Sequence, residues 1–419
     1  MLPETPWLLL ALGALSGLLT SNALRPRRDA LLLVPSFFAA WLTTELPLHL
    51  LLGELFLALV LIANGGLSAL PGIVGMGLLL LTWAGLLYIY RAGHRTDQAI
   101  RAALDDVGLD LGPPLLRYPR SHLIVPPLMF WRRDVEVLHN VPFAEIDGTP
   151  LNLDIYRPRA SDKPSPKRRP AIVQVHGGAW FIGFKQYQGI PLLTHMAANG
   201  WVGFNVDYRL SPRATFPDQL VDLKRALAWI REHADELGVD PDFIVVTGGS
   251  AGGHLTALMG LTAGDPEYQP GFERADTSVQ AAIVFYGVYD IANSLGTKPP
   301  SYLRLIERVL MKKRIADDPE AFRRASPIDR IRPDAPPFFV IHGTRDNLAT
   351  VRDARTFVER MRSRSKDHVL YAELPGAAHA FDIFPSMRTV AVIEVVERFL
   401  ERLHRAHLQG PRARRPRES

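Results

Sequence analysis

The sequence predicts an α/β protein in which a doubly wound, mostly parallel sheet of eight strands follows an N-terminal region of transmembrane helices. Two observations indicate this fold class. A leucine-rich stretch with few charges gives way near residue 91 to the composition of an ordinary soluble domain. From Asp134 onward, short runs of β-branched and aromatic residues alternate with segments of helical periodicity.

The first ninety residues predict helices that cross a membrane, because they contain only seven charged side chains. Apolar runs cover residues 7–24, 30–63 and 72–90, and one crossing needs about 20 apolar residues. The middle run is too long for one straight crossing, and Pro47 predicts a bend or a hairpin within it. We expect residues 1–95 to form a helical anchor of three or four hydrophobic segments in contact with membrane lipid. A cleaved signal peptide is disfavoured because further apolar segments follow the first.

Basic residues beside the apolar runs predict the orientation, since arginine and lysine in short loops favour the cytoplasmic side. Arg25, Arg27 and Arg28 follow the first run, and Arg91 and Arg95 follow the last. Both groups are cytoplasmic if the chain crosses three times, with the middle run crossing once. We therefore favour an integral membrane protein whose remaining chain lies on the cytoplasmic side. Four crossings would place that part outside.

The remaining chain predicts one large domain over residues 134–408 with short flanking segments. Its strand candidates are residues 135–141, 151–156, 171–175, 202–208, 243–247, 279–286, 338–342 and 369–374. Residues 290–332 interrupt the alternation and predict an insertion over the carboxyl edge of the sheet. Residues 96–133 form a connector whose apolar run 123–131 is suited to cover a groove or touch lipid, and 409–419 form a basic disordered tail. We expect a chain that begins near Asp97 to be active.

The overall composition limits the chemistry. Without cysteine, disulfides and thiolate metal sites are excluded. The formal net charge is +5, but the basic residues form no face interleaved with aromatic residues, so we expect no nucleic-acid partner. We expect no metal or organic cofactor, and the sequence leaves the oligomeric state open.

The segment Gly248-Gly-Ser-Ala-Gly252 indicates a nucleophilic serine. It lies between a strand candidate and the apolar helical run 255–261, the context in which G-x-S-x-G forms a sharp turn that exposes the serine. Side chains two residues either side of Ser250 would collide there, and the following helix directs its free amides at the site. A phosphate-binding loop is the alternative, but neither G-x-G-x-x-G nor Gly-Lys-Ser/Thr is present.

A second glycine motif, His176-Gly-Gly-Ala-Trp180, follows the strand candidate 171–175. Consecutive glycines let backbone amides approach an acyl oxygen closely. We expect three amides to form an oxyanion hole, those of Gly177, Gly178 and Ala251. Two aromatic side chains beside this loop are candidates to line the substrate pocket, Trp180 and Phe181.

These motifs resemble the carboxylesterase/lipase branch of the α/β-hydrolases related to hormone-sensitive lipase. The resemblance covers roughly residues 134–405, and bacterial members with hydrophobic N-terminal extensions are especially similar. It rests on five segments in the family's order, at 176–180, 207–212, 216–217, 248–254 and 342–346. It implies an α/β-hydrolase fold, a serine esterase or lipase and an anchor in a bacterial cytoplasmic membrane. Ala179 departs from the pattern, because many relatives have a third glycine there, which puts acyl or alcohol preference in doubt.

The other members of a triad must follow the serine in the order acid, then histidine. Asp346 lies just past the strand candidate 338–342, and the family's His-Gly-x-x-Asp pattern selects the same residue. Asp290 and Asp382 are the competing acids. For the base we favour His379, in the loop between the last strand candidate and the last helix. The histidines weighed against it fall on helices (His195, His233, His404 and His407), begin a strand (His368), or precede or adjoin the serine (His176 and His254).

These residues imply acyl transfer in two steps, in which His379 deprotonates Ser250 for attack on an ester carbonyl and later activates the water that releases the acid. Asp346 would hold the imidazole in the required tautomer. An amidase or arylformamidase is an alternative, because arylformamidases have a similar His-Gly-Gly-x-Trp loop. A membrane-bound binding module without catalysis is another, and lost triad residues would be its signature.

Overall fold

In the computed structural model, which describes residues 4–29, 31–124, 132–159 and 168–410, eight strands form one sheet. The strands are β1 (Val135–Ile146), β2 (Thr149–Pro158), β3 (Arg169–Val175), β4 (Val202–Val206), β5 (Val239–Gly249), β6 (Ala282–Phe285), β7 (Phe338–Gly343) and β8 (Val369–Leu374). Their order is β1-β2-β4-β3-β5-β6-β7-β8. β2 is antiparallel to both neighbours, and the other pairs are parallel. The predicted fold class is confirmed. β1 continues past its predicted end because register shifts accommodate Pro142.

The helices are α1 (Thr5–Leu24), α2 (Leu33–Glu45), α3 (Pro47–Ala63), α4 (Leu70–His94), α5 (Thr96–Asp105), α6 (Ile190–Ala198), α7 (Asp218–Glu232), α8 (Ala234–Leu237), α9 (Ala251–Leu261), α10 (Pro300–Leu305), α11 (Pro319–Arg324), α12 (Val351–Arg364) and α13 (Met387–Gln409). Alternate residues of the central strands enter two separate cores. Val173 packs in one core with α7, α9 and α12, and Ile172 packs in the other with α6 and α13. Helices therefore cover both faces, which explains why the parallel strands are near-continuous apolar runs.

The carboxyl ends of the parallel strands bring the predicted site residues to one edge of the sheet. The loop after β3 contains the second glycine motif, and the turn after β5 contains Ser250. Asp346 follows β7, and His379 follows β8. This edge is where open α/β sheets form their sites.

The segment between β6 and β7 contains α10, a π-helical turn at Ile306–Met311 and α11. It is fixed to the helix that follows Ser250, because the His254 ring donates from Nε2 to the carbonyl of Ala325 at 2.7 Å. The connector after α4 packs on the opposite face of the sheet, where Ile100 and Leu104 of α5 join the core of α13. Most of the apolar run 123–131 and the tail from 411 lie outside the described residues.

Two helical stretches are long and apolar enough to cross a membrane, Thr5–Leu24 and Leu70–Asp105, and α2 with α3 would make a third if the bent pair forms one span. The predicted bend is present, because α2 and α3 meet at 88° just before Pro47. α1 and α4 approach closely through small residues, since a Cβ at Gly13 would overlap the carbonyl oxygen of Gly75. Such small-residue contacts are typical of helix pairs in membranes.

Candidate active site

Ser250 lies in a strained turn between β5 and α9, with φ 60° and ψ −121°. The flanking glycines are required by space. A Cβ at Gly248 would lie 2.7 Å from the carbonyl oxygen of Val175, and a Cβ at Gly252 would overlap the same oxygen. The serine is half-buried, and it immediately precedes the first residue of α9. The turn therefore has the conformation that the sequence predicts for a nucleophile.

Asp346 is a buried carboxylate whose two oxygens are both engaged. Oδ1 accepts from the amides of Leu348 and Ala349 at 2.9 and 2.8 Å. Oδ2 accepts from His379 Nδ1 at 2.7 Å and lies 3.2 Å from His342 Nε2. Burial acts to raise the pKa of the carboxyl, but the charge of His379 and the hydrogen bonds from both rings outweigh it and hold the pKa below its usual range. Asp346 is therefore ionised wherever the domain is folded near neutral pH.

His379 is enclosed by aromatic rings. Tyr286 lies 4.5 Å from it between ring centroids, and Phe37 approaches edge-on at 5.9 Å. Because a carboxylate only accepts hydrogen bonds, the contact with Asp346 fixes the proton on Nδ1 and leaves Nε2 as the basic nitrogen. This is the tautomer that a general base for a serine needs.

The two competing acids have other partners. The carboxylate of Asp290 accepts from the amides of Ser294 and Leu295 at 3.0 and 2.9 Å. Asp382 accepts from the phenol of Tyr286. Among the described residues, Asp346 is the only one of the three candidate acids that is hydrogen-bonded to the candidate base His379. Within the described ranges, no group of three or more histidine and acidic residues could hold a metal ion.

The loop after β3 turns through three successive positive φ values, at Gly178 (120°), Ala179 (50°) and Trp180 (66°). A Cβ at Gly178 would overlap the carbonyl of Ile182, so this position is restricted to glycine. An alanine with positive φ costs about 1–2 kcal/mol. Such strain is typical of functional loops that the surrounding structure holds in place.

The structure contradicts the predicted role of Gly177. Its amide donates to Gln188 Oε1 at 2.6 Å, so it is already paired within the protein. The amides of Gly178 and Ala179 donate to no acceptor in the described part of the chain, and Ala251 supplies a free first-turn amide of α9. The unpaired amides are therefore those of Gly178, Ala179 and Ala251, so Ala179 replaces Gly177 in the predicted set.

Trp180 packs in the core, which contradicts its predicted place in the pocket lining. The positive φ turn carries its indole into the domain, where it is 2% exposed and donates from Nε1 to His254 Nδ1 at 3.1 Å. Phe181 is half-buried, and its pocket role stays a prediction. His254 makes orienting hydrogen bonds, and burial lowers its pKa from 6.5 to about 4.

A cavity of about 640 Å³ lies beside the acid loop. Its lining includes Asn347 from the acid loop, Tyr302 from the insertion, and Arg28 and Leu33 from the N-terminal region. The sequence predicts only an anchor role for these N-terminal residues. It gives no site prediction for Tyr286, although that residue directly follows the carboxyl end of β6, where site residues gather.

The chain is similar to known carboxylic ester hydrolases in sequence and in structure. A family model described as BD-FAE matches residues 153–361. The chain is 40% identical over 414 residues to the probable carboxylic ester hydrolase LipM of Mycobacterium tuberculosis, covering 96% of this chain and 94% of that one. It is 31% identical to the structure of native Est2, a thermophilic esterase of Thermogutta terrifontis, with a TM-score of 0.55 over 71% of this chain and 98% of that one. A structure of the same esterase phosphorylated by paraoxon matches at 30% identity and a TM-score of 0.52, over 65% of this chain and 95% of that one.

Proposed function

The chain belongs to the family of carboxylic ester hydrolases that includes LipM and is itself a carboxylic ester hydrolase, and we propose that Ser250, His379 and Asp346 carry out its reaction. The observation that supports this most directly is the 2.7 Å hydrogen bond between His379 and Asp346, at the sheet edge that also carries the strained Ser250. Loss of a triad member would have indicated a binding module, and all three are present.

In the proposed reaction, His379 Nε2 removes the proton of the Ser250 hydroxyl as its oxygen attacks the ester carbonyl. The bond to the alcohol breaks as the imidazolium returns the proton to the leaving oxygen. Water then attacks the acyl-serine with His379 again as the base. The bond between the acyl group and Ser250 Oγ breaks as the imidazolium returns its proton to that oxygen, and the acid is released. Asp346 stabilises the imidazolium in each half of the reaction without taking its proton.

For the oxyanion we propose the amides of Gly178, Ala179 and Ala251, in place of a set that includes Gly177. The pairing of Gly177 with Gln188 supports this revision. Removing one such donor costs on the order of 10²–10³ in turnover. A crystal structure of the phosphonate adduct tests the assignment, because the phosphoryl oxygen should lie about 2.7–3.1 Å from the three amide nitrogens. An adduct whose oxygen is bound by Gly177 instead would refute it.

The experiment on the nucleophile uses a short aryl ester and an organophosphonate probe on the purified full chain. Ser250→Ala should abolish both turnover and labelling. Ser363→Ala is the matched control, because Ser363 is exposed on α12 and bonds only the Arg360 carbonyl among the described residues. Labelling of another serine in the Ser250→Ala variant would contradict the assignment.

We also propose that the chain is an integral membrane protein with its sheet domain on the cytoplasmic side. Three crossings by α1, α3 and α4 bring the ends of α1 and α4 to the side of the sheet domain, together with the basic groups at Arg25–Arg28 and Arg91–Arg95. A reporter fused after Ser419 tests the orientation. Fluorescence of a cytoplasmic reporter supports it, and strong activity of an alkaline phosphatase fusion would contradict it.

A further inference from the structure

Helix α2 lies directly on the loop of the predicted base, although it belongs to the apolar N-terminal region. Phe37 packs edge-on against the ring of His379. The indole of Trp41 donates to the carbonyl of Ala380 at 2.7 Å and stacks on Phe384 with ring centroids 4.7 Å apart. One face of α2, defined by Phe37 and Trp41, is therefore part of the wall of the active site.

The turn before α2 holds the loop of the predicted acid. The guanidinium of Arg28 donates to the backbone carbonyl of Asp346 at 3.1 Å. In return, the side-chain amide of Asn347 donates to the carbonyl of Arg27 at 3.0 Å. The acid loop and the N-terminal turn are thus joined in both directions.

The other end of α2 is fixed by a buried ion pair. Glu45, which is 4% exposed, accepts from Arg388 and from the hydroxyl of Ser386 at 2.8 Å. Removing one partner of a buried ion pair leaves an uncompensated charge, so such a pair resists separation. With both ends fixed, α2 has a defined position against the sheet domain.

A neighbouring face of α2, here called its outer face, is apolar and uncovered, and it borders the first face because the rings of Phe38 and Phe37 are 4.9 Å apart between centroids. Val34 is 56% exposed and Phe38 is 53% exposed. The 88° bend before α3 sets α2 across the direction of the next helix. If α3 crosses the bilayer, α2 therefore lies in the plane of the interface, where amphiphilic helices bury an apolar face among the lipids.

A second exposed apolar group lies beside the oxyanion loop. Ile182, Phe184 and Tyr187 are 59%, 62% and 68% exposed. Their segment follows the loop in which a Cβ at Gly177 would lie 3.1 Å from the Cβ of Ser250. Apolar side chains are thus exposed next to the base and next to the serine. Large exposed apolar patches mark surfaces that bind a partner or a membrane.

We propose that the outer face of α2 and the segment 182–187 both rest in one membrane leaflet, so that the active site receives its ester from the leaflet. The substrate class is then an ester with a long acyl chain dissolved in lipid. This inference rests on the proposed role of Ser250. In this placement Phe37 and Trp41 form part of the wall of the site, and the neighbouring outer face of α2 contacts the lipid.

The test compares two esters on the full chain reconstituted in phosphatidylcholine vesicles. One is an aryl ester of a long-chain acid held in the bilayer, and the other is a water-soluble aryl acetate. Val34→Glu and Ile182→Glu place a charge on each apolar group. Leu408→Glu is the matched control, because Leu408 is 55% exposed near the end of α13.

Each of the two variants should lower kcat/KM for the long-chain ester by at least about tenfold, because it is costly to place a charge in lipid. For the acetate, kcat/KM should stay within about twofold of the value for the unmodified chain. Leu408→Glu should change neither. Equal losses on both esters, or no loss on either, would overturn the inference. Phosphonate labelling of Ser250 is measured in the same samples. Its absence from the unmodified chain would contradict the proposed function, whereas labelling with equal losses would contradict leaflet entry alone.

Discussion

Replacing Asp346 by asparagine tests the proposed triad at Oδ2, the oxygen that accepts from His379. Oδ1 accepts from the amides of Leu348 and Ala349, so the amide oxygen of the Asp346→Asn variant must take this position. The NH₂ group then replaces Oδ2, where it faces the N–H groups of His379 and His342. The N–H groups of the asparagine and of the two histidines would then face one another without an acceptor between them.

The conflict is relieved when His379 moves its proton from Nδ1 to Nε2, because Nδ1 can then accept from the amide. An imidazole with a proton on Nε2 cannot take the proton of Ser250. Loss of the required tautomer costs on the order of 10⁴-fold in turnover, or about 5.5 kcal/mol of barrier. The free energy of unfolding should fall by only about 1–3 kcal/mol, because His342 Nε2 keeps the Ala349 carbonyl as an acceptor at 3.1 Å.

The assay is kcat for a short aryl ester, with folding checked by circular dichroism. Asp290→Asn is the matched control, since Asp290 is equally buried but accepts only from backbone amides among the described residues. It should keep kcat within the same order of magnitude. A folded Asp346→Asn chain that retains about a tenth or more of kcat refutes the reasoning. A larger loss of kcat in Asp290→Asn than in Asp346→Asn would show that the triad acid follows β6 and not β7.

Three further predictions concern stability. Glu45→Leu should lower the free energy of unfolding, measured by denaturation in detergent, by about 3–5 kcal/mol. Adding Arg388→Met should restore most of this loss, and additive losses would show that the two side chains do not stabilise the fold as an ion pair. The pKa of His254 is 6.5 in the unfolded chain and about 4 in the folded one, so the unfolded chain binds more protons between these values. Acidification from pH 7 to 4 should therefore remove roughly 3 kcal/mol from the free energy of unfolding through this ring. A His254→Gln chain should show a shallower decline over that range, and an identical profile would refute this. Gly252→Ala should lose about 1–3 kcal/mol or more through overlap with Val175, and an unchanged denaturation midpoint would contradict the tight turn.

The sheet, and the placement of Ser250, Asp346 and His379 at one of its edges, could be predicted because their signals are local. Each strand is a short apolar run between turn residues, and Ser250 lies within a five-residue pattern. Gly177 was misassigned because its pairing depends on where a later loop places Gln188. Motif order identifies a glycine loop, but it does not show which of the amides is already bonded.

The docking of α2 could not be predicted, because an apolar helix face has the same composition whether it meets lipid or protein. Phe37 and Trp41 therefore resemble any other residues of a membrane segment. Their contacts change our expectation for a chain that begins near Asp97. It lacks the wall that encloses His379, so we now expect a folded domain with weakened turnover.

The Glu45–Arg388 pair has a consequence for the order in which the protein is made, because the two residues are 343 positions apart. At about 5–20 residues per second, the ribosome needs roughly 20–70 s to pass from one to the other. The N-terminal helices therefore emerge, and have time to insert, long before the loop that contains His379 exists. The base is synthesised last and docks on a surface that was synthesised first. On the proposed membrane topology, a nascent chain thus acquires its complete active site only after its N-terminal helices have had time to insert.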